Sequence, residues 1–286
     1  MQREDNKVLI VAEFTTNHGG DMTRLMEMVH AAKASGADLI KIQKRDVETF
    51  YSDDQLEVPY NSPFGSTLRD YRKAIELSVA QIEEFDRECR KEGIEWFATI
   101  LDLNSFHALR PFGKPLLKIP STISEHHDFH AEVAKLHTGP IVVSTGFTSK
   151  EYEVYVEKRF SGNEKIYLLQ ANSAYPTPPK DCGIAVVRHY THLSRTNTKI
   201  VPGYSSHDEG SLGCMMAVAA GARMIEKHVK FGSTPWIHYD NVALDLSTDE
   251  FANFVQDIRK AEAMCGSEQK EIKKSEHHKY SVVKRN

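Results

Sequence analysis

Long apolar runs, paired cysteines and an excess of basic residues are all missing from this sequence. No stretch approaches the roughly 20 apolar residues that a membrane-crossing helix needs. The opening, MQREDNKVLIVAEF, is charged and then holds one short apolar run, so it predicts neither a signal peptide nor a membrane anchor, and a cytoplasmic protein is expected. The four cysteines, Cys89, Cys182, Cys214 and Cys265, stand far apart with no CxxC pair, which argues against a disulfide framework and a zinc ribbon. Reduced, structural thiols are expected. Thirty-six Lys and Arg against 40 Asp and Glu give a net charge of -4, the wrong sign for a nucleic-acid binder. An anionic ligand must therefore be met by local cations. There is no GxGxxG, no internal repeat and no linker leading to a second domain, which disfavours a doubly wound dinucleotide-binding sheet.

What is present is an alternation. Short apolar, β-branched runs recur at residues 8–14, 39–44, 95–100, 116–120, 140–145, 166–171, 199–205 and 224–230, with helical spacing between them. RLMEMVHAAKASGA and SVAQIEEFDRECRKEG each close on Gly before the next strand, as helices do. GSLGCMMAVAAGA, small and apolar, suits a helix packed on the barrel wall or against another subunit, with burial in one subunit expected. Eight strands joined by helices predict an α/β fold, a single-domain (β/α)8 TIM barrel over residues 1–265, followed by a polar tail over 266–286. His277 and His278 in that tail are read as incidental. Arg45 to Arg72 shows little periodicity and reads as a long loop, a length usually tied to function.

In a parallel barrel the C-terminal strand ends face the mouth. The polar residues falling there are Glu13, Asn17, His18, Lys41, Gln43, Thr99, Lys118, Ser121, Ser144, Thr145, Ser173, Tyr175, Ser205, His207, Glu226 and His228. Helices cover every strand of a closed barrel, so an inward lysine needs an anion. For Lys41 and Lys118 that anion is either a ligand or a structural partner, Glu13 or Glu226. Singly, the hydroxyls of Thr99, Ser121 and Ser144 are strand-end caps; beside two lysines they suit phosphate oxygens. His207 and His228 end adjacent strands within reach of one shared metal, and neutral imidazoles suit manganese, iron or zinc. Asp240 in WIHYD is a further oxygen donor, with His238 competing. His126, His127 and His130 in SEHHDFH read as a solvated cluster.

The motifs resemble those of the sialic acid synthase family across nearly the whole chain. AEFTTNHGG (12–20) is similar to that family's AEIGxNHxG, IKIQ (40–43) to its KFQ, and FAT (97–99) to its third-strand signature. LKIPS (117–121) is similar to KIxS and STG (144–146) to STGM, followed by NSAYPTP (172–178), GYSSHDEG (203–210) and GARMIEKHV (221–229). The resemblance implies condensation of phosphoenolpyruvate with an aldose or amino-sugar aldehyde to a 2-keto-3-deoxy sugar acid plus phosphate. It implies Lys41, Lys118, Thr99, Ser121 and Ser144 on the phosphate and carboxylate, with Gln43 and Ser173 assisting, and Asn17 and Ser205 among the substrate contacts. His207 and His228 would hold a divalent metal, Mn2+ or Mg2+. Glu13 would handle a proton or water, and Tyr175 and Asp240 would face the acceptor.

Some positions depart from the pattern. The family's barrel is followed by an antifreeze-like domain that sends an arginine into the partner's site. Here the sequence stops, so either a separate protein is expected to supply that arginine or the acceptor lacks the acylamino group; a homodimer is a separate expectation. Ile123 replaces an acidic residue, which predicts an apolar wall on the acceptor side, and Gln170 stands where histidine is frequent. Two other readings stay open: a metal-dependent aldolase or lyase acting on a carboxylated substrate, and a non-catalytic barrel subunit.

Overall fold

A computed structural model describes residues 7–276; His277 and His278 lie outside the described residues. In chain order the elements are β1 (Leu9–Thr15), α1 (Met22–Ala34), β2 (Leu39–Lys44), α2 (Val47–Phe50), α3 (Asp53–Leu56), β3 (Pro59–Ser62), β4 (Gly65–Thr67), α4 (Leu68–Ile75) and α5 (Val79–Glu92). There follow β5 (Glu95–Ile100), α6 (Leu103–Leu109), β6 (Leu117–Ile119), α7 (His127–Leu136), β7 (Ile141–Ser144), α8 (Lys150–Arg159) and β8 (Ile166–Ala171). The chain then forms α9 (Ile184–Thr196), β9 (Ile200–Ser206), α10 (Leu212–Ala219), β10 (Met224–Lys230), β11 (Leu244–Asp245) and α11 (Glu250–Cys265).

Eight strands pair in parallel in the order β1-β2-β5-β6-β7-β8-β9-β10, and β10 pairs back onto β1, closing the barrel as the alternation predicts. Helices α1 and α5 start at side-chain caps. Asp21 accepts from the Thr23 and Arg24 amides to cap α1, while Ser78 and Gln81 form a reciprocal capping box on α5. Gly93 then stops α5 in the left-handed conformation, φ 64°. The four cysteines are free thiols, and among the described residues no helix is long and apolar enough to cross a membrane.

The barrel's two faces separate cleanly. Outward residues such as Ile10, Ala12, Phe14, Ile40 and Ile42 join the helices in one large apolar cluster. Inward residues Val11, Phe97, Val142, Leu169 and Met224 form a second, smaller cluster that plugs the interior. Side chains alternate along a strand, so the residue two positions after each plug residue points inward one layer higher. That layer is Glu13 after Val11, Thr99 after Phe97, Ser144 after Val142 and Glu226 after Met224. The apolar plug thus forms the floor of a polar mouth.

The segment from Arg45 to Arg72 is not the irregular loop its weak periodicity suggests. It contains α2, α3, the antiparallel β3–β4 hairpin and most of α4. Within it Tyr60 stacks on Tyr71 at 4.2 Å between centroids, and a partner distant in sequence adds order: the Tyr60 hydroxyl donates to the Trp236 carbonyl at 2.9 Å. Helix α10 also departs from simple burial. Cys214 and Ala217 pack inward, whereas Leu212 and Met216 are exposed.

Gly20, in the first mouth loop, has φ 76°, and a Cβ there would sit 2.2 Å from the Ala74 carbonyl oxygen at the end of α4. Gly20→Ala therefore combines a left-handed penalty with a backbone clash and is expected to cost about 2 kcal/mol or more. A chemical-denaturation midpoint unchanged from wild type would show that this close approach does not exist.

Candidate active site

The polar layer above the plug is organised by four charges. Lys41 Nζ lies 2.5 Å from Glu13 Oε2 and 3.4 Å from Glu226 Oε1, and donates to Thr99 Oγ1 at 2.8 Å. Lys118 Nζ donates to the same Glu226 Oε1 at 2.5 Å, and Ser205 Oγ donates to it at 2.8 Å. All six residues are at least 97 % buried. The register places them: Glu13 pairs with Lys41 across β1–β2, Thr99 with Lys118 across β5–β6, and Glu226 with Ser205 across β10–β9. Two ammoniums and two carboxylates cancel, and burying either sign alone at this depth is prohibitive. The sequence left open whether the lysines meet a ligand or internal partners; internally, both partners are present.

The charges are not equivalent. Burial acts against the ammonium of Lys41, but two adjacent carboxylates outweigh it and hold its pKa above the usual lysine value. For Lys118 burial dominates, with repulsion from Lys41 working against the attraction of Glu226, and its pKa falls to about 8. Burial likewise opposes ionisation of Glu226, yet Lys118 and Lys41 hold its carboxyl far below the usual range. One lysine is a fixed cation and the other gives up its proton more readily.

Hydroxyls ring this bed. Among the described residues Ser144 Oγ is buried with no hydrogen-bond partner. Beyond it Gly146 leaves room: a Cβ there would stand 2.8 Å from Ser173 Oγ and 3.0 Å from Ser121 Oγ, so the chain at this point converges with both serines. Gln43 reaches Glu13 Oε1 at 3.4 Å while its own carbonyl accepts from Arg45 at 2.7 Å. Asn17 is buried and donates to the Val229 carbonyl at 2.7 Å, tying the first mouth loop to β10. Thr145 points behind the mouth, to the Leu169 carbonyl and the Tyr190 hydroxyl.

The two histidines meet beside the bed, ring centroids 5.2 Å apart and planes at 77°. His207 Nδ1 contacts the Asn172 carbonyl, which can only accept, so Nδ1 carries the proton and Nε2 keeps its lone pair. His228 Nδ1 lies 2.7 Å from Asp240 Oδ2, which fixes its tautomer in the same way. Burial, reinforced by His228, lowers the His207 pKa to about 3, so the imidazole is neutral at physiological pH. Burial opposes ionisation of Asp240, but its hydrogen bond to His228 prevails and keeps it below the usual carboxylate value. A neutral imidazole at His207, and a second imidazole at His228 backed by the Asp240 carboxylate, are a donor set that fits a divalent metal. Asp240 reaches its place through the 231–243 loop, which the β3–β4 hairpin clasps at Trp236 and which Arg24 holds at the Phe231 carbonyl and Thr234.

Several expectations need correction. His238 is exposed and gives way to Asp240. Ile123 is 1 % exposed and belongs to the outer apolar core, so it presents no wall to an acceptor. His130 is not solvated: its ring is fully buried beside Tyr152, Tyr155 and Phe160, and burial pushes its pKa to about 4. His18 is also a buried, neutral acceptor, taking the Gly20 amide, with a pKa near 4. Gln170 donates to the Cys182 carbonyl. The sequence underrated Glu226 as a mere partner to one lysine, although its adjacency to Lys227 and His228 in EKH and its place two residues after Met224 point inward.

A closed parallel barrel with charged groups and paired histidines at its strand ends defines the class: a (β/α)8 barrel carrying its site at the C-terminal mouth. This chain belongs to the NeuB family, whose model matches residues 28–270. It is 31% identical over 266 residues to N-acetylneuraminate-9-phosphate synthase of Homo sapiens, covering 92% of this chain and 72% of that protein. It is 32% identical over 288 residues to N,N'-diacetyllegionaminic acid synthase of Legionella pneumophila, covering 96% of this chain and 78% of that one. Its fold superposes on the crystal structure of N-acetylneuraminic acid (sialic acid) synthetase from Leptospira borgpetersenii with a TM-score of 0.79 at 23% identity, covering 95% and 89% of the two chains.

The unequal lysines predict a pH response. Affinity for a phosphate-bearing ligand, followed by calorimetry, is expected to fall as the pH rises through about 8, because Lys118 loses its proton there while Lys41 stays charged. Lys118→Arg, permanently charged, flattens that fall. A wild-type profile already flat across this range would contradict the depressed Lys118.

Proposed function

We propose that this chain condenses phosphoenolpyruvate with an amino-sugar or related aldose aldehyde, giving a 2-keto-3-deoxy sugar acid of the sialic type and inorganic phosphate. The observation that carries this reading is the charge-balanced bed of Lys41, Glu13, Lys118 and Glu226 beside two imidazoles, each anchored at Nδ1. A balanced bed does not attract a multiply charged anion alone; it accepts one that arrives with a compensating cation. The histidine pair is where that cation would be held. The names of the relatives, synthases of N-acetylneuraminate 9-phosphate and N,N'-diacetyllegionaminic acid, point to the same chemistry.

In this reading Lys41 and Lys118, with Thr99, Ser121 and Ser144, bind the phosphate and carboxylate of phosphoenolpyruvate, and Gln43 and Ser173 border them. Ser205 holds Glu226 in place and Asn17 secures the loop above. His207 and His228 hold Mn2+ or Mg2+, oriented by Asn172 and Asp240. Such a metal supplies Lewis-acid polarisation of the aldehyde oxygen. The π electrons of phosphoenolpyruvate form the new bond from carbon 3 to the aldehyde carbon, the aldehyde oxygen takes up a proton to become a hydroxyl, and water adds at the electron-poor carbon 2. Glu13 takes one proton of that water, and the hydroxyl left at carbon 2 gives up the other as the ketone forms and phosphate leaves with the electrons of its bond to carbon 2. The lysines stabilise charge that is present throughout, which favours binding and lets the leaving phosphate depart without protonation by solvent.

Phosphate release with phosphoenolpyruvate and Mn2+, scanned over a panel of aldoses and N-acylated amino sugars, tests the reaction. At least one acceptor is expected to release phosphate in step with loss of phosphoenolpyruvate, and a chelator to abolish it until Mn2+ is restored. Silence across the whole panel would overturn the proposal. Lys41→Met is expected to raise the KM for phosphoenolpyruvate at least about tenfold, the scale of one charge-assisted contact; an unchanged KM would remove Lys41 from the site.

A further inference from the structure

A third ring lies over the two imidazoles. Tyr175, on the loop after β8, stacks on His207 with centroids 4.0 Å apart and an interplanar angle of 29°, and stands edge-on to His228 at 5.6 Å and 74°. Its hydroxyl is 2.9 Å from His207 Nε2. Because the Asn172 carbonyl fixes the proton on Nδ1, Nε2 is an acceptor, and the phenol must be the donor. The lone pair it occupies is the one a cation would need, and one lone pair cannot serve both.

We propose that Tyr175 is a latch on the metal site: its hydroxyl caps His207 Nε2, and a divalent cation binds there only as that hydroxyl is displaced. The inference rests on the reading of His207 and His228 as metal ligands given above. The surroundings suit a side chain that moves while its backbone stays. Tyr175 is 41 % exposed, whereas His207 and His228 are 7 % and 6 % exposed, so the phenol can swing outward without opening the core. The backbone on either side is pinned. Ala174 N donates to Asn172 Oδ1 at 2.8 Å, and Thr177 N donates to the His207 carbonyl at 2.7 Å. Tyr175 is therefore a positioning residue that holds the ligand atom in its lone-pair tautomer before the cation arrives and opposes the cation's entry.

The hydroxyl alone separates this role from simple packing. Tyr175→Phe keeps the stacked ring and removes the cap, so Mn2+ titrated calorimetrically into the metal-free protein is expected to bind about 2- to 12-fold more tightly than to wild type, the range of a single hydrogen bond. Equal or weaker binding overturns the latch, since a packing ring or a hydroxyl that supports the metal would give one or the other. His228→Ala is titrated alongside. If wild type binds Mn2+ no better than His228→Ala, the metal-site reading fails and the latch falls with it. If His228→Ala is crippled while Tyr175→Phe gains nothing, the latch alone is overturned.

Discussion

The buried quartet of Lys41, Glu13, Lys118 and Glu226 is the constraint on which the rest of this molecule depends. Four ionised side chains on the axis of a barrel are tolerable only if each meets its opposite at hydrogen-bond distance, which fixes the relative heights of β1, β2, β6 and β10. The apolar plug of Val11, Phe97, Val142, Leu169 and Met224 closes the barrel beneath them and keeps water from entering from below. Register, closure and charge pairing are thus one condition, because a strand shifted by a residue would turn its charge outward into the helical layer.

The same condition shapes the reactive side of the mouth. Glu13 pairs in register with both Lys41 and His228, so the anion bed and the imidazole pair are built on shared backbone. Each imidazole is held at Nδ1 by an acceptor from a different part of the chain, the Asn172 carbonyl after β8 and Asp240 on the clasped 231–243 loop. These contacts leave both Nε2 atoms directed away from their anchors, one of them under the Tyr175 hydroxyl. Electrostatic balance in the bed and the anchored imidazoles at its edge are what the proposed pairing of an anion with a cation rests on.

A good part of this was legible in the residues. The eight apolar runs became the eight barrel strands because buried parallel strands leave near-continuous β-branched stretches. Lys41 and Lys118 declared themselves by standing inside such runs, and His207 and His228 by ending neighbouring ones. Other features depended on contacts across the chain. Tyr60 meets Trp236 across 176 residues, a contact with no local trace, whereas the capping boxes Ser52–Gln55 and Thr67–Asp70 inside the 45–72 segment are local signals that periodicity alone passes over. Ile123 and His130 were misplaced because apolar or polar character does not say which side of a helical layer a residue enters; both lie in the core.

By itself, the sequence determined the architecture and the chemical inventory, since strand periodicity, glycine stops and inward polar residues are local properties. Tertiary structure alone decided how that inventory is wired. It joined Glu226 to both lysines, set the lone-pair tautomers of His207 and His228 through Asn172 and Asp240, and placed the Tyr175 hydroxyl on the nitrogen that would bind a metal. Hydrogen-bond direction and charge balance depend on distances of a few ångströms between groups far apart in the chain, and only the closed barrel fixes those distances.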